Sequence, residues 1–458
     1  MFSSYSDSNI NFIIYNDNGL CLYHKEPINN FLEESFKGIL QALYFTGSDL
    51  NYSTNLLSSD CGLIAYKKFD FEESSILFCL VFPNNFGDES MAEEVTQNLL
   101  NNIFTSLVAH IGYCDCFHFN TSIELEKIKK FFEIYSLTIE TLINNYNNPS
   151  FLFNCEKRYS VNKEVSISIK NYLEEFKKQI KQDFIFLTYT DNTKDELNSD
   201  NDNNLDDSLT SLSYCNLLEN SGIIWSSNEW NSIESIDRNI FYLISLLYSS
   251  GDISTIPVYF VTTLLENNYS GKVPFKLLVL KLTKNTKLVI LSDTQLDTNE
   301  VLDVIKLKFD SFFLQRLKTV NIELNTEDVV INNLCSSILL IDASTKSYRY
   351  LIDDSYTNFF KEILINTSFC INPINIISSM KSGDKIKLNE DDNKDICLDY
   401  EEFSDEFYIK GVDFVFYYLQ VKDKFIFVVF SQNVKINEIN QVKSNLIKMF
   451  DDNLNPIS

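Results

Sequence analysis

The residues best suited to chemistry are few. Cys114, Cys116 and His118 fall at alternate positions in GYCDCFHF, so an extended segment would point all three to one side. That is a partial zinc set, but tetrahedral zinc needs a fourth ligand and usually a C-x-x-C turn to close around it. No matching Cys or His pair follows, and the stretch reads as a partly buried loop between helices. A metal centre or a Cys/His nucleophile at Cys114, Cys116 and His118 is the alternative. The chain has only 3 His, namely His24, His110 and His118, so proton transfer elsewhere would fall to carboxylates. These lie in charged loops, where acidic runs serve solubility. There is no G-x-x-x-x-G-K-[ST], G-x-G-x-x-G, H-E-x-x-H or G-x-S-x-G pattern. The expectation is a protein with no catalytic residue, no cofactor and no metal.

Two basic clusters remain: Lys127, Lys129 and Lys130, and Lys177, Lys178 and Lys181. Each reads as a solvated helix face, and the first also as a contact patch for an acidic partner. The wider charge balance is strongly negative, with Lys+Arg 38 against Asp+Glu 64 and a net charge of -26 over 458 residues. Such a surface repels phosphate backbones and anionic lipid, which argues against nucleic acid as a partner and leaves membranes to be met only indirectly. Ten Cys without repeated spacing suit a reducing cytoplasm. The opening residues read as a strand rather than a leader, no apolar run spans a bilayer, and NLNPIS is no prenylation box.

What could position such surfaces is an α/β unit that recurs. Apolar runs at 11–15 and 20–23 flank Asn18-Gly19, a hairpin signal. Ile28, Phe31, Leu32, Phe36, Ile39, Leu40 and Leu43 follow at helical spacing between Pro27 and Gly47. A weak strand near 50–57 and strands at 61–66 and 75–82 come next, the last two joined by a charged turn, KKFDFEE. Capping boxes at Ser90-x-x-Glu93 and Thr121-x-x-Glu124 start two helices. The order strand, strand, helix, three strands, helix returns from Phe184, interrupted by an acidic insertion near 190–210. A third pass from Leu334 reads as two strands, a helix around 359–364, an acidic insertion near 384–406, hairpin strands at 412–419 and 425–430 and a last helix carrying Ile439, Val442, Leu446 and Phe450. The strands are nearly continuously apolar, so helices must cover both faces of each sheet. Three tandem domains, 1–155, 156–325 and 326–458, are expected, each an antiparallel five-stranded sheet sandwiched by helices. Trp225 and Trp230 read as core anchors.

That element order is that of a longin or roadblock-type domain, and three in tandem resemble the Fuzzy, Mon and Hermansky-Pudlak family of triple-longin proteins. The resemblance is carried by FKGILQALYFTGSDL (36–50), the KKF after the strand at 63–66, SIELEKIKKFFEIYSLTIETLI (122–143), GIIWSSNEW (222–230), PVY (257–259) with PFKLLVLKL after it, and FIFVVFS (425–431). Within the family it is closest to the planar-cell-polarity branch. The resemblance implies a non-enzymatic subunit of a heterodimeric guanine-nucleotide exchange factor for a Rab-family GTPase, paired with an Inturned-like longin-domain protein and joined by a WD-repeat subunit. The process implied is cilium biogenesis and vesicle-mediated transport, in the cytoplasm and, through partners, at the cytoskeleton, cilium base or endomembranes. A Mon-type or Hermansky-Pudlak-type subunit acting at endosomes or lysosomes is the alternative. By the same resemblance, Phe36, Ile39, Leu43, Tyr44, Tyr52, Lys67, Lys68 and Phe69 would form the partner or GTPase interface, and Lys127, Lys129 and Lys130 a basic contact patch.

Overall fold

The computed structural model describes residues 10–25, 34–49, 55–59, 62–70, 75–82, 89–112, 122–146, 148–152, 154–159, 161, 163–190, 218, 220–249, 251–260, 273–293, 296–318, 335–342, 344–352, 406–410, 414–421, 424–431, 439 and 443. They form a mixed α/β protein with three antiparallel-dominated sheets and two compact units, the first made of Met1–Leu152 with Asp206–Cys215 and Val258–Pro274, the second of Phe153–Leu205, Asn216–Pro257 and Phe275–Ser458.

The first unit opens with the hairpin β1 (Asn11–Asn16) and β2 (Cys21–Lys25). Asn16 accepts the Leu20 N–H through Oδ1 at 2.7 Å, and Gly19 takes φ +77°, the left-handed conformation that glycine adopts without steric cost. Helix α1 (Glu34–Asp49) follows, then β3 (Leu56–Ser59), β4 (Gly62–Asp70) and β5 (Ser75–Phe82). Among the described residues four helices close it: α2 (Glu89–Ile111), α3 (Ser122–Ile134), α4 (Ser136–Asn144) and α5 (Pro149–Leu152). The sheet order is β2-β1-β5-β4-β3. Leu40 of α1 packs with Ile13, Tyr15, Tyr66, Leu77 and Cys79 on one face. On the other face Phe12 meets Phe78, Phe78 and Phe69 meet Phe104 of α2, and Tyr23 meets Phe132 of α3. This is the expected α/β/α layering.

Local readings need correction. Residues 67–70 of the supposed charged turn continue β4, because their alternating burial suits a strand with one wet face. Helix α1 runs through Gly47 to Asp49 rather than stopping there. The long helix read from Thr121 breaks at Tyr135, whose carbonyl accepts the Thr138 N–H at 3.1 Å.

In the second unit, α6 (Lys163–Ile180) precedes β7 (Phe184–Thr190) and β8 (Ser221–Ser226). Next come α7 (Ser235–Leu247), β9 (Ile253–Phe260), β10 (Val273–Lys281), β11 (Thr286–Asp293), α8 (Thr298–Lys308) and α9 (Ser311–Lys318). The sheet order is β8-β7-β11-β10-β9, which repeats that of the first sheet. Ile169, Leu173 and Phe176 of α6 pack with Val301, Phe313 and Leu317 of α8 and α9 on one face. Trp230 and Tyr242 cover Phe186 on the other. Helix α7 is buried from Asp237 through Leu247, as expected of a helix enclosed on every side.

The third sheet holds β12 (Cys335–Asp342), β13 (Ser347–Ile352), β14 (Glu406–Lys410), β15 (Phe414–Val421) and β16 (Lys424–Ser431). Its order, β13-β12-β16-β15-β14, is again second, first, fifth, fourth, third. A sixth strand, β6 (Glu156–Lys157), joins its edge in parallel with β13. Strand β14 overlaps the end of the stretch read as an acidic loop. The helix read at 359–364 lies outside the described residues, and of the last helix only Ile439 and Lys443 are described.

Candidate functional site

Helix α1 is held on its sheet by two tyrosines. Tyr15 donates its hydroxyl to the Lys37 carbonyl at 2.8 Å, and Tyr66 donates to the Leu40 carbonyl at 2.7 Å. With Leu40 facing inward, Ile39 and Leu43 stand one turn apart on the outer side, 53% and 44% exposed. Tyr44 is half-buried, its ring 5.5 Å from that of Tyr66. Burial raises its hydroxyl pKa; nearby Lys68 opposes the rise and Asp70 adds to it. The helix thus meets the end of β4.

The residues expected at an interface are divided. Ile39, Leu43 and Lys68 face solvent, Lys68 paired with Asp70 at 2.6 Å. Phe69 lies flat on Phe104 of α2, with centroids 3.8 Å apart and planes 6° apart. Lys67 is half-buried with its ammonium 5.7 Å from the Phe69 centroid, and burial lowers its pKa. Lys67 and Phe69 are therefore tied to the α2 side, while Tyr44 and Lys68 adjoin α1. Phe36 is on α1, but its side chain lies outside the described residues, as do Tyr52, Cys114, Cys116 and His118. Lys127 and Lys130 are exposed on α3 and Lys129 is half-buried. Since Phe132 of α3 packs on Tyr23, whose cross-strand partner is Ile14, α3 covers the face opposite α1, so the basic patch and the Ile39–Leu43 pair are not brought together. Among the described residues no group of three or more His, Cys, Asp and Glu could hold a metal ion, and no helix is long and apolar enough to cross a membrane.

A second constellation sits in the second unit. Residues 156–159 serve two sheets: Glu156 and Arg158 donate their N–H groups to Lys346 and Tyr348 at 2.8 and 2.9 Å, and Tyr159 donates to Ile223 at 2.9 Å. Gly222 is needed there, because a Cβ would lie 2.8 Å from the Tyr159 ring. Alternation along the strand puts Glu156 and Arg158 on one side. Glu156 is fully buried and accepts from three donors: Trp230 Nε1 at 2.6 Å, Arg158 Nη2 at 3.0 Å and Arg238 Nη1 at 3.0 Å. Arg238 also reaches the Thr345 carbonyl at 3.3 Å and Asn231 Oδ1 at 3.1 Å. Burial lowers the Arg238 pKa and Glu156 opposes that; burial and then Arg158 push Arg349 down to about 9.

Sequence reading placed Trp230 correctly in a core but passed over Glu156, Arg158, Arg238 and Arg349. A signal was present: only four of the 38 basic residues are arginines, and three of them meet here. Arginine's planar fork suits buried carboxylate pairing where lysine does not. Neither the protein-family models nor the curated protein sequences contain a match to this chain.

Proposed function

We propose that this chain is a non-enzymatic subunit of a Rab-type guanine-nucleotide exchange factor, built of three longin-like domains and working beside an Inturned-like longin-domain protein, with a WD-repeat subunit completing the complex. The observation that carries the reading is the strand order second-first-fifth-fourth-third in all three sheets, with a helix after the second strand in the first two. This supports an internal threefold repeat of the longin-like unit. The outward Ile39–Leu43 pair on α1 supports a protein contact on the first unit.

An exchange factor makes no covalent bond. It binds the nucleotide-free GTPase more tightly than the loaded form and so lowers the barrier to release. Such work needs a firm surface with apolar anchors, and α1, fastened by Tyr15 and Tyr66, offers one. Cytoplasmic residence, with planar-polarity and ciliogenesis roles reached through partners, belongs to the same reading. Co-purification with an Inturned-like partner, followed by GDP release from a panel of Rab GTPases, tests it. Complex formation with accelerated release of one Rab is expected; neither occurring removes the proposal.

A further inference from the structure

Without residues 156–159, β8 would be the outer strand of the second sheet and β13 that of the third. Outer strands leave a row of backbone groups unpaired, which proteins cover or guard with charge. Here the two strands are deeply buried: Ser221 and Ile223 of β8 and Ser347 and Tyr348 of β13 are each at most 1% exposed. What covers them is the segment between them. It pairs in parallel on both sides, Glu156 and Lys157 with Ser347 and Tyr348, and Arg158 with Ile223. Its amides alternate, those of Glu156 and Arg158 turned to β13 and that of Tyr159 to β8. The second and third sheets, both in the second unit, are therefore continuous through 156–159.

A few parallel backbone bonds are a weak tie on their own. The side chains make it firm on both faces. On one, Glu156 holds Arg158, Trp230 and Arg238. Arg158 Nη2 also donates to Ser226 Oγ of β8 at 3.0 Å, and Arg238 reaches the Thr345 carbonyl between β12 and β13. On the other face, Tyr159 packs with Ile169 and Leu173 of α6 and meets the Tyr189 ring edge to face, with centroids 6.1 Å apart. The charge cluster thus has ends in both sheets. Parting them would break it and leave buried charge without its partner, which is costly.

We propose that residues 156–159 are a coupling strand: the second and third sheets open as one body, so that a molecule which binds and steadies either sheet slows the opening of the other. Neither sheet can lose this strand without exposing the edge of its neighbour. The coupling does not depend on the exchange-factor reading and survives its failure.

The test is native-state hydrogen exchange of the full chain, read by mass spectrometry of peptides. As urea is raised below the unfolding midpoint, the amides of β8, 156–159 and β13 should merge into one opening with a common dependence on urea. Glu156→Gln would strip two guanidinia of their partner and risk misfolding, so the decisive variant is Gly222→Ala on β8. Its Cβ would lie 2.8 Å from the Tyr159 ring and 3.3 Å from the Lys157 carbonyl, a wedge between the coupling strand and the second sheet. Exchange should speed up by about tenfold, as overpacking by one methyl group implies, and by the same factor at β8 and at β13 on the far side of the strand. β1 and β5 of the first unit should keep the parental rate. Separate openings of β8 and β13 in the parent chain overturn the proposal, and so does a folded Gly222→Ala chain in which β13 exchanges at the parental rate.

Discussion

Trp230 donates its indole N–H to Glu156 at 2.6 Å across 74 residues of sequence, and both side chains are fully buried. The bond matters because the same carboxylate also holds Arg158 and Arg238, joining the strand at 156–159 to the entry of α7. Glu156→Gln removes the carboxylate that pairs with both Arg158 and Arg238. A loss of about 3–5 kcal/mol is expected, as for breaking a buried ion pair. Trp230→Phe removes one hydrogen bond to a charged acceptor and should cost less, about 1.5–3 kcal/mol. Urea denaturation of the two variants gives the comparison; a Glu156→Gln midpoint at or above that of Trp230→Phe would contradict the central role of the carboxylate.

His110 gives the first unit a dependence on pH. It is buried near the end of α2, its ring stacked on Tyr135 with centroids 4.1 Å apart, and burial depresses its pKa to about 3. The unfolded chain binds a proton near its ordinary value of about 6.5, so below that pH the unfolded state takes up protons that the folded state refuses. Stability should therefore fall as pH drops through the window between those two values, by about 3 kcal/mol on reaching pH 4. His110→Gln should flatten this part of the curve. An unchanged pH profile in that variant would assign the acid sensitivity to other groups.

Thiol chemistry offers a third check. Cys155 is 1% exposed; burial pushes its pKa to about 12, with Lys346 and Arg238 opposing and Glu156 and Asp342 reinforcing. Cys79 is fully buried and pushed up in the same direction. At about pH 8 the thiolate fraction of Cys155 lies on the order of a thousandfold below that of a free cysteine. Iodoacetamide should label Cys155 and Cys79 only after denaturation, as read by mass spectrometry of peptides. Labelling of native Cys155 at the rate of a free thiol would place it at the surface instead.

Much of the fold could be read from local pattern because the units are strongly apolar. Ser75 to Phe82 shows itself as a strand by composition alone, and Asn18-Gly19 marks the β1–β2 hairpin by backbone freedom. Elements defined by distant partners were hidden. β6 is two residues long and is a strand only because β13 and β8 lie on either side of it; β14 is fixed by pairing with β15 and not by its acidic surroundings. Of the residues that the resemblance assigns to an interface, Ile39 and Leu43 were legible as members of a helical period, and only the sheet distinguishes them from the inward Leu40. The Arg158, Arg238 and Glu156 cluster draws on positions up to 82 residues apart, beyond the reach of any motif window.

The most direct measurement is the GDP-release rate of a Rab GTPase in the presence of this chain and the Inturned-like partner proposed for it, with Ile39→Asp and Leu43→Asp variants beside the parent. Both positions are exposed, so the substitutions should change folding stability by no more than about 0.5 kcal/mol. A charge in an apolar anchor pair should nevertheless reduce complex formation or exchange by about tenfold or more. Accelerated release by the parent, lost in folded Ile39→Asp and Leu43→Asp, is the predicted result. Release at the intrinsic rate with the parent complex would contradict the exchange-factor function, and full activity in both variants would move the working surface away from α1.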